Sequence, residues 1–228
     1  MTGSGLDDPA VREGTRRMLA QRNILLESGE TMAGWKLAFG APRWLERFGL
    51  DGPVVGYLPA SNVREPGAIV SCEGWTMAVA EPEIAVYLGR DIEDADRVTE
   101  AIAGLGPAIE LADVDSPPDD LAVVLEGNIF HRAVVFGRPD CSRVDLTGML
   151  GRVSKNGSEI AVPTDLESLT GNLVAILGHT ARLLETAGER LRAGEVVIMG
   201  SVVPPIAVEP GNRVEFELTP LPPISVTV

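Results

Sequence analysis

The strongest constraint on the fold is an apolar run, residues 77–88, in which two glutamates flank a proline. In a β-strand, residues i and i+2 point to the same face, so Glu81 and Glu83 would project into one small region. Two neighbouring carboxylates on a half-buried surface repel each other and lose hydration. The arrangement becomes favourable when one acid is protonated or when a cation, most simply a divalent metal, lies between them. These residues alone leave open an exposed strand edge with two solvated glutamates.

A second short apolar segment, residues 106–113, carries a third acid, Glu110. Pro107 suits the start of a strand, and Ile109 and Leu111 alternate with the acid. Three glutamates on two strands would form a set of carboxylates that leaves positions open for water or substrate. Hard oxygen ligands favour Mg²⁺ or Mn²⁺ over zinc, which prefers nitrogen and sulfur.

A lone lysine, Lys36, lies within the apolar segment 34–40. One interpretation is a surface lysine whose methylene stem lies along apolar surface. The other is an ammonium group beside a metal-bound anion. The residue taken alone does not decide between them.

Composition restricts the possible partners. The chain has 228 residues, of which 45% are hydrophobic, and this is enough to bury a substantial core within one domain. The net charge of −14 argues against nucleic acid and anionic membranes as partners. The same charge would repel a small dianionic substrate at long range, so a bound metal must supply local attraction.

The expected location is the cytoplasm. No stretch approaches the length of a membrane span, and the first residues lack the basic and apolar parts of a signal peptide. Cys72 and Cys141 show no metal-ligand spacing and are expected to be reduced thiols. With only His131 and His179 in the chain, a histidine-rich metal site is excluded.

Periodicity and turn signals predict an α+β chain of one domain, residues 1–228. It comprises a short helical N-terminal segment, residues 1–30, and a β-rich body, residues 31–228. Asp7 or Asp8 before Pro9 would cap the first helix, and Asn156-Gly157 favours a tight hairpin turn. We expect helical residues over 8–28, 42–48, 95–105, 119–126 and 166–187. We expect strands over 54–58, 68–70, 76–88, 106–113, 132–136 and 151–162, with further short strands towards the C-terminus.

Four motifs carry a family resemblance. They are Gly34-Trp35-Lys36-Leu37, Glu81-x-Glu83-Ile-Ala, Pro107-Ala-Ile-Glu110 and the segment 191–205. In this order, across residues 11–228, they resemble the fumarylacetoacetate hydrolase superfamily. The most similar branch is that of the 2-oxo-4-pentenoate hydratases and 4-oxalocrotonate decarboxylases.

The resemblance implies a mixed β-roll, in which a bent sheet wraps around a core with the metal at its open end. It also implies a homo-oligomer. The metal, Mg²⁺ or Mn²⁺, would be bound by Glu81, Glu83 and Glu110. Lys36 would be the catalytic residue that points at the metal-bound substrate.

The implied function is that of a divalent-metal-dependent lyase, either a hydratase or a decarboxylase. Its substrate would be a short 2-oxo acid or 2-hydroxydienoate, which reacts through a metal-stabilised enolate. An acylpyruvate carbon–carbon hydrolase is an alternative. Those enzymes usually carry a His–Glu pair near the N-terminus and an aspartate as third carboxylate, whereas here no histidine precedes His131 and Glu110 takes the third position. A catalytically inert member that binds a 2-oxo acid is the other alternative.

The chain departs from the family pattern at several positions. The family's Asp-Asn-Ala-Ser is replaced by a stretch that keeps only Asn128 and ends in Phe130, which removes a hydroxyl and narrows the pocket. We predict substrate contacts from Asn128, from His131 in place of the lost group, and from Ser201 in a turn that faces the metal. The alternative for His131 is a structural histidine, and the alternative for Ser201 is a plain turn between strands. A family Leu-Gly-His-Pro is replaced around Asn172, which cannot shuttle protons at neutral pH. No phosphate-loop spacing indicates a nucleotide cofactor.

Overall fold

A computed structural model describes residues 8–115 and 120–228. The described helices are α1 (Pro9–Glu27), α2 (Pro42–Phe48), α3 (Leu121–Glu126) and α4 (Leu173–Thr186). The described strands are β1 (Met32–Ala38), β2 (Val54–Pro59), β3 (Val63–Arg64), β4 (Ala68–Ile69), β5 (Ala78–Leu88), β6 (Ile102–Asp113), β7 (His131–Phe136), β8 (Leu150–Lys155), β9 (Ser158–Ala161), β10 (Val196–Ser201), β11 (Ile206–Ala207), β12 (Arg213–Thr219) and β13 (Ile224–Thr227).

A curled, mixed sheet forms the main layer. Its strand order is β2-β1-β10-β5-β6-β7-β3, and β11 pairs with the end of β5. The pairs β1–β10 and β3–β7 are parallel, and the others are antiparallel. The long strands β5 and β6 lie at its centre, so the residues of the two acidic motifs become cross-strand neighbours.

A smaller sheet, in the order β4-β13-β12-β8-β9, packs against β6 and β7. Helix α1 packs on α3 and β2, while α4 contacts β2 and β10. The main core lies between these layers and one face of the large sheet. Trp35, Leu37, Ile109 and Phe216 are among its buried side chains.

The opposite face of the large sheet has its own apolar cluster, which we call the inner patch. Its buried members are Leu58, Ala85, Ala108, Val134, Val196 and Ile198. They come from five strands and contact one another because the sheet curls. Alternation along each strand places Glu81, Glu83 and Glu110 on the same face as this patch, which we call the inner face.

Most predicted elements are present. Asp8 caps α1 by accepting hydrogen bonds from the backbone of Ala10 and Val11 at 2.8 and 3.1 Å, while Asp7 lies outside the described residues. The Asn156-Gly157 turn joins β8 to β9, and both of its residues have positive φ. A helical segment is found within 119–126, although residue 119 is not described. The prediction of an α+β fold is confirmed.

Two predictions were wrong. Residues 95–105 do not form an α-helix, because Val98–Ala101 is a single 3₁₀ turn and β6 already begins at Ile102. Strand pairing prevails because residues from Ile102 onwards pair with β5. Helix α4 begins at Leu173 instead of Leu166, because Asn172 caps it. Within the described residues, no helix is both long and apolar enough to cross a membrane.

Candidate metal centre and substrate cavity

Three glutamates meet on the inner face of the β5–β6 pair. Glu81 is directly opposite Glu110 in the register, and Glu83 follows two residues along β5. Carboxylate oxygens of all three lie within 4.8 Å of one another. Glu83 and Glu110 are each 1% exposed, whereas Glu81 borders a cavity. The predicted ligand set is therefore assembled in space.

A bulge in β10 lies beside the second of the two acids. The pairing with β5 shifts between Ile198, which is opposite Ala85, and Ser201, which is opposite Glu83. Pro82 has no N–H for the ladder, and its carbonyl accepts a 2.9 Å hydrogen bond from the Val202 N–H. Gly200, with φ of 93°, directs its N–H to Glu83 Oε2 at 2.7 Å. The bulge thus orients one of the acids.

Lys36 is buried beside the third acid. The residue is 1% exposed, and its Nζ lies 2.5 Å from Glu110 Oε1 and 3.0 Å from the carbonyl oxygen of Ile129. It is paired across β1 and β10 with Ile198, a member of the inner patch. The interpretation as a surface lysine is therefore wrong, and the ammonium lies beside the candidate ligand Glu110.

His131 reaches the same acid from the other side. Its Nδ1 lies 2.8 Å from Glu110 Oε1, and burial lowers the pKa of the imidazole despite the opposing effect of Glu110. A neutral ring facing an ionised carboxylate must carry its proton on Nδ1, because the carboxylate only accepts. Its Nε2 is buried and has no hydrogen-bond partner within the described structure.

The three acids have different protonation tendencies. Burial and the charge of Glu110 raise the pKa of Glu81 to about 7, although Lys36 opposes the shift. Burial and the charges of Glu110 and Glu81 raise the pKa of Glu83 well above its usual range. Burial also acts to raise the pKa of Glu110, but Lys36 and His131 outweigh it and lower that pKa. With all three acids ionised, the cluster would contain more negative charge than Lys36 balances.

These residues fit a hard divalent cation. All three donors are carboxylates, the set preferred by Mg²⁺ and Mn²⁺. Glu110 Oε1 is occupied by Lys36 and His131, whereas its Oε2 is buried and has no partner in the described structure. A buried carboxylate oxygen without a partner is costly, and a cation beside Glu81 and Glu83 would satisfy it.

A cavity of about 370 Å³ opens at Glu81 and Lys36. Its walls are mostly apolar and come from β1, α2, the segment around residue 129 and the chain around residue 200. They include Phe39, Trp44, Ile129, Phe130, Leu169, Met199 and Val203. A small acid bound here would meet the charged cluster at one end and apolar walls beyond it.

Residues 128–130 are held in an unusual conformation. All three have positive φ, between 50° and 66°, which is rare for β-branched Ile129. Asn128 fixes the segment, because its amide accepts from the Tyr57 N–H at 2.8 Å and donates to the Tyr57 carbonyl at 2.9 Å. A Cβ at Gly56 would lie 2.7 Å from the Asn128 amide oxygen. This geometry aims the Ile129 carbonyl at Lys36.

The predicted substrate contacts are not all placed at the cavity. Ser201 and Phe130 line it, and the Ser201 hydroxyl donates to the Pro82 carbonyl at 3.3 Å. Asn128 and His131 do not line it, since Asn128 is bound to Tyr57 and His131 lies behind Glu110. The structure thus places these two residues in supporting positions, not in contact with a ligand in the cavity.

The family is shown by comparison with known proteins. Residues 42–228 match the fumarylacetoacetate (FAA) hydrolase C-terminal family, and the chain belongs to this family. It is 26% identical over 232 residues to a 4-oxalocrotonate decarboxylase from Pseudomonas sp, covering 97% of this chain and 88% of that protein. It is 27% identical over 213 residues to 2-keto-4-pentenoate hydratase 1 from Dechloromonas aromatica, covering 88% of this chain and 79% of that protein.

Solved structures show the same fold. A 4-oxalocrotonate decarboxylase from Pseudomonas putida G7, complexed with magnesium and adipate, matches with a TM-score of 0.84 at 21% identity, covering 92% of this chain and 82% of that one. A fumarylpyruvate hydrolase from Pseudomonas aeruginosa, in complex with Mn²⁺ and pyruvate, matches with a TM-score of 0.64 at 16% identity, covering 85% and 88% respectively. The predicted superfamily and its mixed β-roll are confirmed.

Proposed function

We propose that the protein is a divalent-metal-dependent lyase, a hydratase or decarboxylase, that acts on a short 2-oxo acid or its 2-hydroxydienoate form. The observation that carries this proposal is the convergence of Glu81, Glu83 and Glu110 beside buried Lys36 at an apolar cavity. The two relatives described above are a decarboxylase and a hydratase, which are both lyases, and this supports the same reaction class.

The three glutamates would hold Mg²⁺ or Mn²⁺. When bound, the ion supplies Lewis-acid polarisation of a 2-oxo group and a template for the adjacent carboxylate. Glu83 is held for this task by the Gly200 N–H, and Glu110 by His131. Such supporting hydrogen bonds fix the orientation of a ligand and tune its basicity.

Lys36 would act on the oxygen of the substrate where negative charge develops. Its ammonium borders the cavity, and it is fixed by Glu110 and by the Ile129 carbonyl. A donor placed in advance beside a developing oxyanion stabilises it without reorganisation. The proton on Nζ is also available for transfer to that oxygen.

Apolar walls would keep bulk water from the reacting end. Phe130 and Met199 border the same cavity as Lys36. A site with little water strengthens the electrostatic contacts inside it. Ser201 lines the cavity as well, where its hydroxyl would turn from the Pro82 carbonyl to the substrate carboxylate.

A panel assay with added Mg²⁺ tests the proposal. Ultraviolet loss of a 2-hydroxydienoate reports hydration, and release of CO₂ from a 2-oxo-enedioate reports decarboxylation. Pyruvate release from acylpyruvates reports the hydrolase alternative. We expect lyase turnover that a chelator abolishes and Mg²⁺ restores. Turnover of acylpyruvates alone would reject the lyase in favour of the hydrolase, and no turnover with intact Mg²⁺-dependent binding would favour the inert family member.

A further inference from the structure

A second cation lines the cavity, at the wall formed by α2. Arg43 is exposed, and its guanidinium carbon lies 5.2 Å from the centroid of the Trp44 ring. Both residues border the cavity that also contains Lys36 and Glu81. Within 8–115 and 120–228, no carboxylate lies within ion-pair distance of Arg43. Its charge is therefore available to a ligand.

The wall that carries Arg43 is built around three aromatic rings. Phe39 has a φ of 58°, a region that bulky residues rarely adopt, and it turns the chain from β1 towards α2. Its ring lies edge-on to Trp44 at 5.3 Å and to Phe48 at 5.5 Å. Trp44 also stacks on Phe48 with centroids 5.9 Å apart. This aromatic cluster holds the base of Arg43 in a fixed place.

The charges of the cavity leave Arg43 unbalanced. With a dication bound, the ion and Lys36 together offset the three glutamates. That end accommodates the 2-oxo carboxylate of a substrate. Among the described residues that line the cavity, Arg43 is the only cation besides Lys36. Among the described lining residues, a second negative group on a ligand has no other cationic partner, in a chain whose net charge is −14.

We propose that Arg43 binds a second carboxylate at the far end of the substrate and selects 2-oxo dicarboxylates over 2-oxo acids with a neutral tail. The inference rests on the proposed function, because the near end must be the 2-oxo carboxylate. Ile129 and Phe130 would contact the carbon chain between the two charged ends. The planar guanidinium suits this task, since its donors match the two oxygens of a carboxylate.

The test compares two acids of equal chain length, 2-oxoadipate and 2-oxohexanoate, which differ only in a distal carboxylate or methyl group. Calorimetric affinities are measured with saturating Mg²⁺. We expect the wild type to bind 2-oxoadipate about tenfold more tightly, as for a hydrogen bond to a charged group. Arg43→Gln should remove this preference and leave the affinity for 2-oxohexanoate unchanged, which also shows that the variant is folded.

Arg47→Gln is the matched control. Arg47 lies on the next turn of α2, with its guanidinium carbon 5.4 Å from the same Trp44 centroid, but it does not line the cavity. This variant should keep the preference for 2-oxoadipate. In the wild type, the preference should shrink as ionic strength rises, because a charge pair near solvent is screened.

The outcomes separate the two proposals. If both acids bind with Mg²⁺ and equal affinity, the role of Arg43 is rejected and the metal-dependent site stands. If Arg43→Gln retains the preference for 2-oxoadipate, another residue selects the dicarboxylate and the assignment is again rejected. If neither acid binds in an Mg²⁺-dependent way, the proposed function fails together with this inference.

Discussion

The inner face of the large sheet has two ends of opposite character. At one end lie Glu81, Glu83, Glu110 and Lys36, all of them charged groups around a candidate metal position. Along the same strands lies the inner patch, where the side chains are small or branched and fully apolar. On β5 the change takes only two residues, from Glu83 to Ala85. Both ends lie on the same face because alternate side chains of a strand point to the same side of the sheet.

The difference separates the part of the face that maintains the fold from the part that we propose performs the chemistry. The inner patch contains only apolar side chains, so its packing contributes to stability without a ligand. The acidic end contains raised pKa values and a carboxylate oxygen of Glu110 without a partner, so it is costly until a cation binds. Substitutions at the two ends should therefore affect different measurements.

The largest effect is expected at Lys36. Lys36→Ala removes the group that we propose as the donor to the reacting oxygen, so we expect kcat to fall about 1000-fold, within the range for a positioned acid or base. Because the lysine is not a ligand, bound Mg²⁺ should be retained. Steady-state kinetics and calorimetry measure the two properties. The control is Lys155→Ala on β8, where the lysine contacts the Ala207 carbonyl away from the cavity. Full activity in Lys36→Ala would remove this residue from the mechanism.

A smaller effect, on stability, is expected from the inner patch. Leu58 is fully buried there, and Leu58→Ala should lower the free energy of unfolding by about 3 kcal/mol through lost burial and a residual cavity. Denaturant unfolding measures this change, with exposed Leu150→Ala as the control. Mg²⁺ affinity should stay close to that of the wild type. A large loss of affinity in Leu58→Ala would show that the two ends are not separable.

The smallest effect concerns pH in Mg²⁺-free solution. A carboxyl whose pKa is raised by folding stabilises the protein only while it is protonated, so stability falls as pH rises through the folded pKa. With the pKa of Glu81 at about 7, this carboxyl should contribute a loss of about 1 kcal/mol from about pH 6.5 to 8.5. The contribution of Glu83 has the same sign, and that of Glu110, whose pKa is lowered, is already complete in this window.

Unfolding of Glu81→Gln is the comparison for the pH experiment. The variant lacks the titrating group, so its stability should fall less over the same window. Burial lowers the pKa of both histidines in the folded protein, so near pH 6.5 they are protonated mainly in the unfolded chain and oppose the loss. This contribution is the same in the two proteins and cancels in the difference between their pH curves. Saturating Mg²⁺ should abolish the loss in the wild type. Parallel pH curves for the two proteins would contradict the account.

Local signals predicted elements wherever local chemistry decides the structure. Asp8 before Pro9 starts α1, and Asn156-Gly157 closes the β8–β9 hairpin. The helix expected over 95–105 was wrong because β5 offers a partner along the whole of β6, and tertiary pairing overrides local preference. The later start of α4 has a visible signal in Asn172, preceded by Gly171 with a φ of 93°.

The sequence predicted the charged side chains of the candidate site better than the backbone groups that orient them. Alternation and the family resemblance pointed to Glu81, Glu83, Glu110 and Lys36, which the structure brings together. The Gly200 N–H and the Ile129 carbonyl are backbone groups. The first is placed by the bulge in β10 and the second by the left-handed segment 128–130, and the side chains of these segments do not predict either feature. Arg43 was missed because only the turn at Phe39 brings α2 to the cavity.

The central claim is that the acidic end of the inner face binds one divalent cation. Calorimetric titration of the metal-free protein with Mg²⁺ or Mn²⁺ tests it most directly, in the wild type and in Glu83→Gln, with exposed Glu73→Gln as control. We predict one ion per chain, an affinity about 100-fold weaker in Glu83→Gln and an unchanged affinity in Glu73→Gln. No binding to the wild type, or equal affinity in the wild type and Glu83→Gln, would contradict the account.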